Sequence, residues 1–237
     1  IGKLKMKVFS RMDADPELRE WGIEVPLLKS RSILIADYLK KIAGPDVVQE
    51  IEMDILTAED LYTAHSQEFI SDLYNENKVT KRLEDCYELI NEDGTYHRYD
   101  PKNQKRKFSE LFECQLREAS ATFAAALYVL KNNKDAFYLG GGMHHAMSFG
   151  GRGFCLLNDI VIASRKLQQE QQLKNIWVID VDAHKGDGTA ELTQNDDSII
   201  TMSVHMKNGW PLDSSIGGPW DIPSNVDIEI GQGEEKL

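Results

Sequence analysis

The run Trp177-Val178-Ile179-Asp180-Val181-Asp182-Ala183-His184 constrains this chain more than any other. Its apolar, β-branched opening reads as a buried-type strand over residues 176–181. An extended backbone sends alternate side chains to one side, so Asp180, Asp182 and His184 converge at the C-terminal end of that strand. Two carboxylates and an imidazole gathered there are expensive to desolvate without a compensating charge. A divalent cation is the simplest compensation. Asp182 and His184 offer oxygen and nitrogen donors suited to zinc or ferrous iron, and Asp180 fits as a hydrogen-bonded support behind them. A satisfied hydrogen-bond cluster capping the strand is the bland alternative. Asp187 follows, with a glycine on each side, which points to backbone packed tightly against its surroundings.

The rest of the chain supplies a setting for such a strand. Further strand-like runs fall at residues 4–10, 47–51, 136–139, 198–204 and 226–230. Pro26 can open a helix that Gly44-Pro45 closes, and Thr57 with Asp60 forms a capping box for a short helix ending near His65. Ser66 caps another helix, and longer ones are expected over residues 108–131 and 158–172. The polar stretch 91–107 reads as a solvated surface loop between helices. Strands alternating with helices imply a mostly parallel sheet covered on both faces, with ligands outside the C-terminal strand ends. At 237 residues and 41% apolar content, one α/β domain has ample material for a core. The formal charge of −12 argues against direct nucleic-acid binding and favours cationic or neutral partners. No apolar run reaches the roughly 18 residues of a membrane helix, so no membrane partner is expected. Three widely spaced cysteines suggest a reduced, intracellular chain.

Two more segments carry chemistry. In Gly140-Gly141-Gly142-Met143-His144-His145, the glycine-rich turn can aim adjacent imidazoles into one cavity. Two close imidazoles titrate together, leaving one neutral at working pH. A carboxylate behind each would fix its tautomer, and Asp180 and Asp187 are available. That arrangement suits general acid–base work on a metal-activated water. In Gly150-Gly151-Arg152-Gly153-Phe154-Cys155, the aromatic side chain is placed to line a narrow apolar channel, and Cys155 reads as a small packed residue.

Together, Gly-Gly-Met-His144-His145-Ala, Gly153-Phe154-Cys155-Leu-Leu-Asn158-Asp159 and Asp180-Val-Asp182-Ala-His184-Lys-Gly-Asp187-Gly188 resemble the signature blocks of the histone deacetylase superfamily. That superfamily includes acetoin-utilisation proteins and acetylpolyamine amidohydrolases. The resemblance implies an α/β, arginase/deacetylase-type three-layer fold with a mostly parallel, eight-stranded sheet. It implies a metal-dependent amidohydrolase that removes an acetyl or other acyl group from acyl-lysine or a similar amine, with zinc or ferrous iron as cofactor. By the same resemblance, Asp182 and His184 match metal ligands, His145 the general base, and His144 its electrostatic partner. Asp180 and Asp187 match the carboxylates behind His144 and His145. Gly153 matches the carbonyl that receives the substrate amide, Phe154 one tunnel wall, and Trp210 a departure at the second wall. Asp100 matches a rim carboxylate, and Asp180, Asp182, His184, Ser203 and Val204 match a structural potassium site.

The family's third metal-binding aspartate and transition-state tyrosine fall beyond residue 237, so residues 1–237 read as a single deacetylase-like domain, incomplete at its C-terminus. By itself such a chain is expected to be weakly active. Implied partners are acetylated lysine peptides or proteins, acetylated polyamines, or small acylated molecules. The implied compartment is the cytoplasm, or the nucleus in a eukaryote. Two rivals stand beside this reading. One is a non-catalytic acyl-lysine binder or scaffold. The other is an arginase-type ureohydrolase with two manganese ions, against which Asp187 lies three residues after His184 instead of two.

Overall fold

A computed structural model describes residues 6–25, 31–213, 218 and 221–231. Three strands form the first parallel sheet, in the order β3 (Val48–Glu50), β1 (Lys7–Ser10), β5 (Ala136–Tyr138). Strand alternation puts Val8 and Phe9 on opposite faces. Val8 packs with Val48 and Leu139 against Ala36 of α1 (Arg31–Ala43). Phe9 packs with Ile51 against Ala121 and Ala125 of α5 (Phe108–Asn132). The alanines let both helices approach the sheet closely, which gives a helix–sheet–helix sandwich.

The second parallel sheet has the order β6 (Ile176–Asp180), β7 (Ile199–Met206), β8 (Val226–Ile230). On β7 the buried face reads Ile199, Thr201, Ser203, His205, apolar at one end and polar at the other. On β6, only Val178 is buried, whereas Trp177 and Ile179 are 57% and 63% exposed. The buried-type strand expected at residues 176–181 therefore shows one covered face among the described residues. The expected helix over residues 158–172 appears as α6 (Asp159–Gln171), with Asn158 accepting from the Val161 N–H as N-cap. Part of the helix expected from Pro26 onward, and all of residues 1–5, lies outside the described residues.

The main core lies among the helices. α2 (Ala58–Tyr62), α3 (Gln67–Leu73), α4 (Val79–Cys86), α5 and α6 enclose Leu61, Phe69, Ile70, Leu83, Leu111 and Val161. Both halves of the Thr57/Asp60 capping box form, and Ser66 accepts from the Phe69 N–H at the start of α3.

One expectation fails. Residues 91–107 are not simply a solvated loop: Tyr99–Gln104 form β4, paired antiparallel with β2 (Trp21–Ile23). The strand's own residues are polar because its outer face meets water; its apolar partner is some 80 residues away. Trp21 is fully buried, its indole N–H donates to the Lys107 carbonyl at 2.7 Å, and the Arg106 guanidinium lies 4.6 Å over its ring. Truncating so large a buried ring should lower the unfolding free energy of Trp21→Ala by about 3–5 kcal/mol. Trp21→Phe, which loses the hydrogen bond and part of the buried ring, should cost less than Trp21→Ala. Urea unfolding midpoints measure both; an unmoved midpoint for Trp21→Ala would place β2 and β4 outside the cooperative core.

Candidate active site

Both parallel sheets send strand C-termini toward one place. After β5 the chain turns through Gly140 to Gly142 and presents His144 and His145; after β6 it presents Asp182 and His184. The glycine turn is fixed from behind by buried carboxylates. Asp159, at the first position of α6, accepts from the Gly142 and Met143 N–H groups at 3.0 and 2.7 Å and from the Thr122 hydroxyl at 2.6 Å. Glu118 of α5 accepts from the Gly141 N–H at 2.9 Å. Burial pushes the Glu118 carboxyl up to about 8, against the Gly141 bond and with help from the Asp159 charge.

The imidazoles of His144 and His145 are 3.9 Å apart, centre to centre. The structure places a carboxylate behind each: Asp180 Oδ2 lies 2.6 Å from His144 Nδ1, and Asp187 Oδ1 lies 2.6 Å from His145 Nδ1. Asp187 is fully buried and also accepts from the Gly188 N–H. A Cβ on Gly186 would collide with the Asp180 carboxylate, so only glycine lets β6 and the start of α7 (Asp187–Thr193) close around His144.

The two environments push the rings in opposite directions. Burial opposes charge on His144, but the Asp180 hydrogen bond and the negative charges of Asp180, Asp182 and Asp187 outweigh it and raise its proton affinity. For His145 burial prevails; the Asp187 bond raises its affinity, but the His144 and His184 charges act against it, and the net direction is down.

Asp182 and His184 stand beside this pair, with Asp182 Oδ1 3.2 Å from His184 Nδ1 and 3.8 Å from His144 Nε2. Ligands about 2.0–2.1 Å from a tetrahedral ion are roughly 3.3 Å apart, so this oxygen and nitrogen suit two positions of one zinc-type cation. Among the described residues no group of three or more His, Cys, Asp and Glu side chains forms a metal cluster. Strand register sets Asp180 beside Ser203, whose buried hydroxyl bonds to His205 Nδ1 at 2.9 Å and accepts from the Gly186 N–H. Val204 is the next residue along β7.

Trp210 lies edge-on to His145 at 4.5 Å and to His184 at 5.6 Å. Phe154, 37% exposed, leans on Tyr87 and carries the Arg98 guanidinium 5.2 Å over its ring. Asp100 stands apart. Its two oxygens close their own turn, accepting from the Lys102 N–H and the Asn103 amide, and among the described residues no hydrogen bond or ion pair joins it to the histidine pair.

Several supporting residues escaped sequence reasoning. Asp159 and Glu118 hold the glycine turn; Arg152 meets Asp187; and His65 joins the Met147 carbonyl to the start of α6. For Asp159 the neighbouring Asn158 cap was a usable signal; for the others, the partners are separated by 23 to 93 residues and leave no local pattern. His65 is wholly enclosed. Its Nδ1–H donates to the Met147 carbonyl at 2.8 Å and its Nε2 accepts from the Asn158 N–H at 3.0 Å, which only the neutral ring can do.

Burial is the main reason that the His65 proton affinity falls from 6.5 to about 4, with the Arg165 charge adding to it. The unfolded chain binds this proton near pH 6.5, the folded chain only near 4. The stability contribution is therefore complete above pH 6.5 and is lost as pH falls toward 4. Between pH 7.5 and 5.0 the loss should be about 2 kcal/mol. Urea unfolding at both pH values should show it in the parent chain and not in His65→Leu; an equal slope in the variant would contradict the assignment.

Similarity to known proteins is consistent across sequence and structure. A profile of the histone deacetylase domain matches residues 26–225. The chain is 27% identical over 185 residues to the acetoin utilization protein AcuC of Bacillus subtilis, covering 77% of this chain and 45% of that protein. It is 25% identical over 242 residues to histone deacetylase clr6 of Schizosaccharomyces pombe, covering 99% and 57% respectively. A probable deacetylase of Archaeoglobus fulgidus is 33% identical over 132 residues, covering 53% and 36%. Among solved structures, the HDA15 HD domain superposes with a TM-score of 0.64 at 18% identity, over 96% of this chain and 62% of that one, which establishes a shared fold. The chain thus spans less than two thirds of each of these relatives.

Proposed function

From the membership of this chain in the histone deacetylase family, with its α/β arginase/deacetylase-type fold, we propose that it serves as a metal-dependent amidohydrolase that releases acetate or another acyl group from an acylated lysine or similar amine. One observation carries the reading: two adjacent imidazoles, each with its own carboxylate, stand beside the Asp182 oxygen and the His184 nitrogen. A purely structural histidine pair needs no such division of labour.

Asp182 and His184 would hold a zinc or ferrous ion together with a ligand from outside the described residues. Such an ion, when bound, acts as Lewis acid toward the amide carbonyl and acidifies water. The remaining work falls to the chain's own groups. Asp187 takes the Nδ1–H of His145, which directs the Nε2 lone pair into the pocket and fixes the tautomer. With its affinity lowered, His145 is neutral near pH 7 and free to accept the proton of the attacking water at Nε2, then to return it to the departing amine nitrogen. Asp180 raises the proton affinity of His144, which favours positive charge near the site where the carbonyl oxygen gains negative charge. Positive charge on His144 adds to burial in lowering the affinity of His145.

The Gly153 carbonyl would orient the substrate amide N–H, with Phe154 and Trp210 as walls that receive a neutral acylated chain and disfavour free ammonium. Potassium, held by backbone oxygens of Asp180, Asp182, His184 and Val204 and by Ser203, would stiffen the β6–β7 junction, as the pairing of Asp180 with Ser203 supports. The net charge of −12 favours substrates with cationic flanks, an acylated basic peptide or an acylated polyamine, and salt should weaken that attraction.

The test is acetate release from an acetyl-lysine peptide by the intact polypeptide supplied with zinc. Turnover should be lost with a chelator, and should fall by about a thousandfold in His145→Ala and by a similar order in Asp187→Asn. Binding of acetylated peptide and acetylpolyamine without turnover by the metal-loaded polypeptide would contradict the proposal.

A further inference from the structure

We propose that Arg152 is a positioning residue that ties the Trp210 wall to the carboxylate behind the general base, so that one side chain sets both the width of the substrate channel and the hold on His145. The inference rests on the deacylase reading for its substrate and on geometry for the linkage.

The backbone of Arg152 is fixed first. Arg152 and Cys155 exchange two hydrogen bonds, of 3.0 and 2.9 Å, across a tight turn whose central residues, Gly153 and Phe154, both have positive φ, 54° and 68°. That is the turn geometry in which two-residue loops match strand twist. From this base the side chain reaches the floor of the site. One guanidinium nitrogen lies 3.0 Å from Asp187 Oδ2, the carboxylate oxygen not used by His145. The same guanidinium lies 5.0 Å over the ring of Trp210. Asp187 is wholly buried and the Arg152 side chain is 21% exposed, so the ion pair is poorly screened and the planar group has little freedom.

The consequence falls on Trp210. Its indole edge meets His145 and His184 on one side. On another it occupies the space that a Cβ on Gly153 would take. With the guanidinium beneath, the ring cannot retreat without breaking a cation–π contact and exposing a buried ion pair. A slender, unbranched alkyl chain passes such a wall; a chain thickened beside the amide has to displace it. Phe154 has an arginine over its ring too, but Arg98 is anchored to Glu88, at 2.6 Å, and not to the catalytic carboxylate. Only the Trp210 wall is coupled to the base.

Two readouts test this on the intact polypeptide. With 5-fluorotryptophan incorporated, Trp210→Phe identifies the Trp210 fluorine resonance. Arg152→Met should move that resonance and leave that of Trp21, in the distant core, in place. In zinc-supported turnover, Arg152→Met should raise the ratio of kcat/KM for a peptide whose acetyl-lysine carries a methyl branch on its side chain to that for plain acetyl-lysine by about tenfold, and lower kcat on both. Arg152→Lys, which keeps the charge at Asp187 but not the planar face, should recover kcat and not the ratio. An unmoved Trp210 resonance in Arg152→Met overturns the linkage, and a moved resonance with an unchanged ratio overturns the channel-width role. If the unmodified polypeptide turns over no acyl-lysine at all, the deacylase reading fails separately, and the fluorine shift still decides whether Arg152 holds Trp210.

Discussion

Everything distinctive here depends on two short imidazole–carboxylate bonds, His144 to Asp180 and His145 to Asp187. Each joins the loop after one parallel sheet to the strand end or helix start of the other. They are close to the same length, yet they act on rings in different surroundings. Asp180 faces His144 together with the Asp182 charge, and that side of the pair favours the proton. On the other side burial works against charge on His145, with the His144 and His184 charges behind it, and outweighs Asp187, so that side gives the proton up. A symmetrical sequence motif, His-His, becomes an asymmetrical acid–base device through what lies behind it.

The scaffold exists to hold that asymmetry. Three successive N–H groups of the glycine turn are gripped by Glu118 and Asp159, so the aim of both imidazoles is set by α5 and α6 and not by the turn itself. Asn158 adds a second layer, donating to the Ala146 carbonyl and to the Thr189 hydroxyl while capping α6. His65 completes the layer from α2's end as a neutral, fully satisfied ring. These groups are buried and polar, and they tolerate burial because each finds partners.

Much of this was legible in the sequence, and the limits have physical causes. Asp180, Asp182 and His184 stood out because strand alternation is a local rule, and helix starts at Thr57 and Ser66 because capping is local too. The polar strand β4 was not legible, since its apolar anchor is Trp21, far away in the chain, and its own residues resemble a loop. The exposed face of β6 was likewise hidden, because an apolar run implies burial without saying which face is covered. Arg152 looked like one more residue of a glycine-rich loop; nothing local tells that its guanidinium turns inward onto Asp187. Asp100, which the resemblance suggested as a rim carboxylate, accepts through both oxygens from its own turn.

The feature on which the site depends is the difference in proton affinity between adjacent imidazoles, set by their separate surroundings. It is tested most directly by following the imidazole nitrogens of His144 and His145 by ¹⁵N NMR across the pH range, with Asp180→Asn and Asp187→Asn to assign each ring. Two separate titrations are expected, with His144 keeping its proton to higher pH than His145, and a neutral His145 that carries its proton on Nδ1. A single shared transition, a reversed order, or a neutral His145 protonated on Nε2 would contradict it.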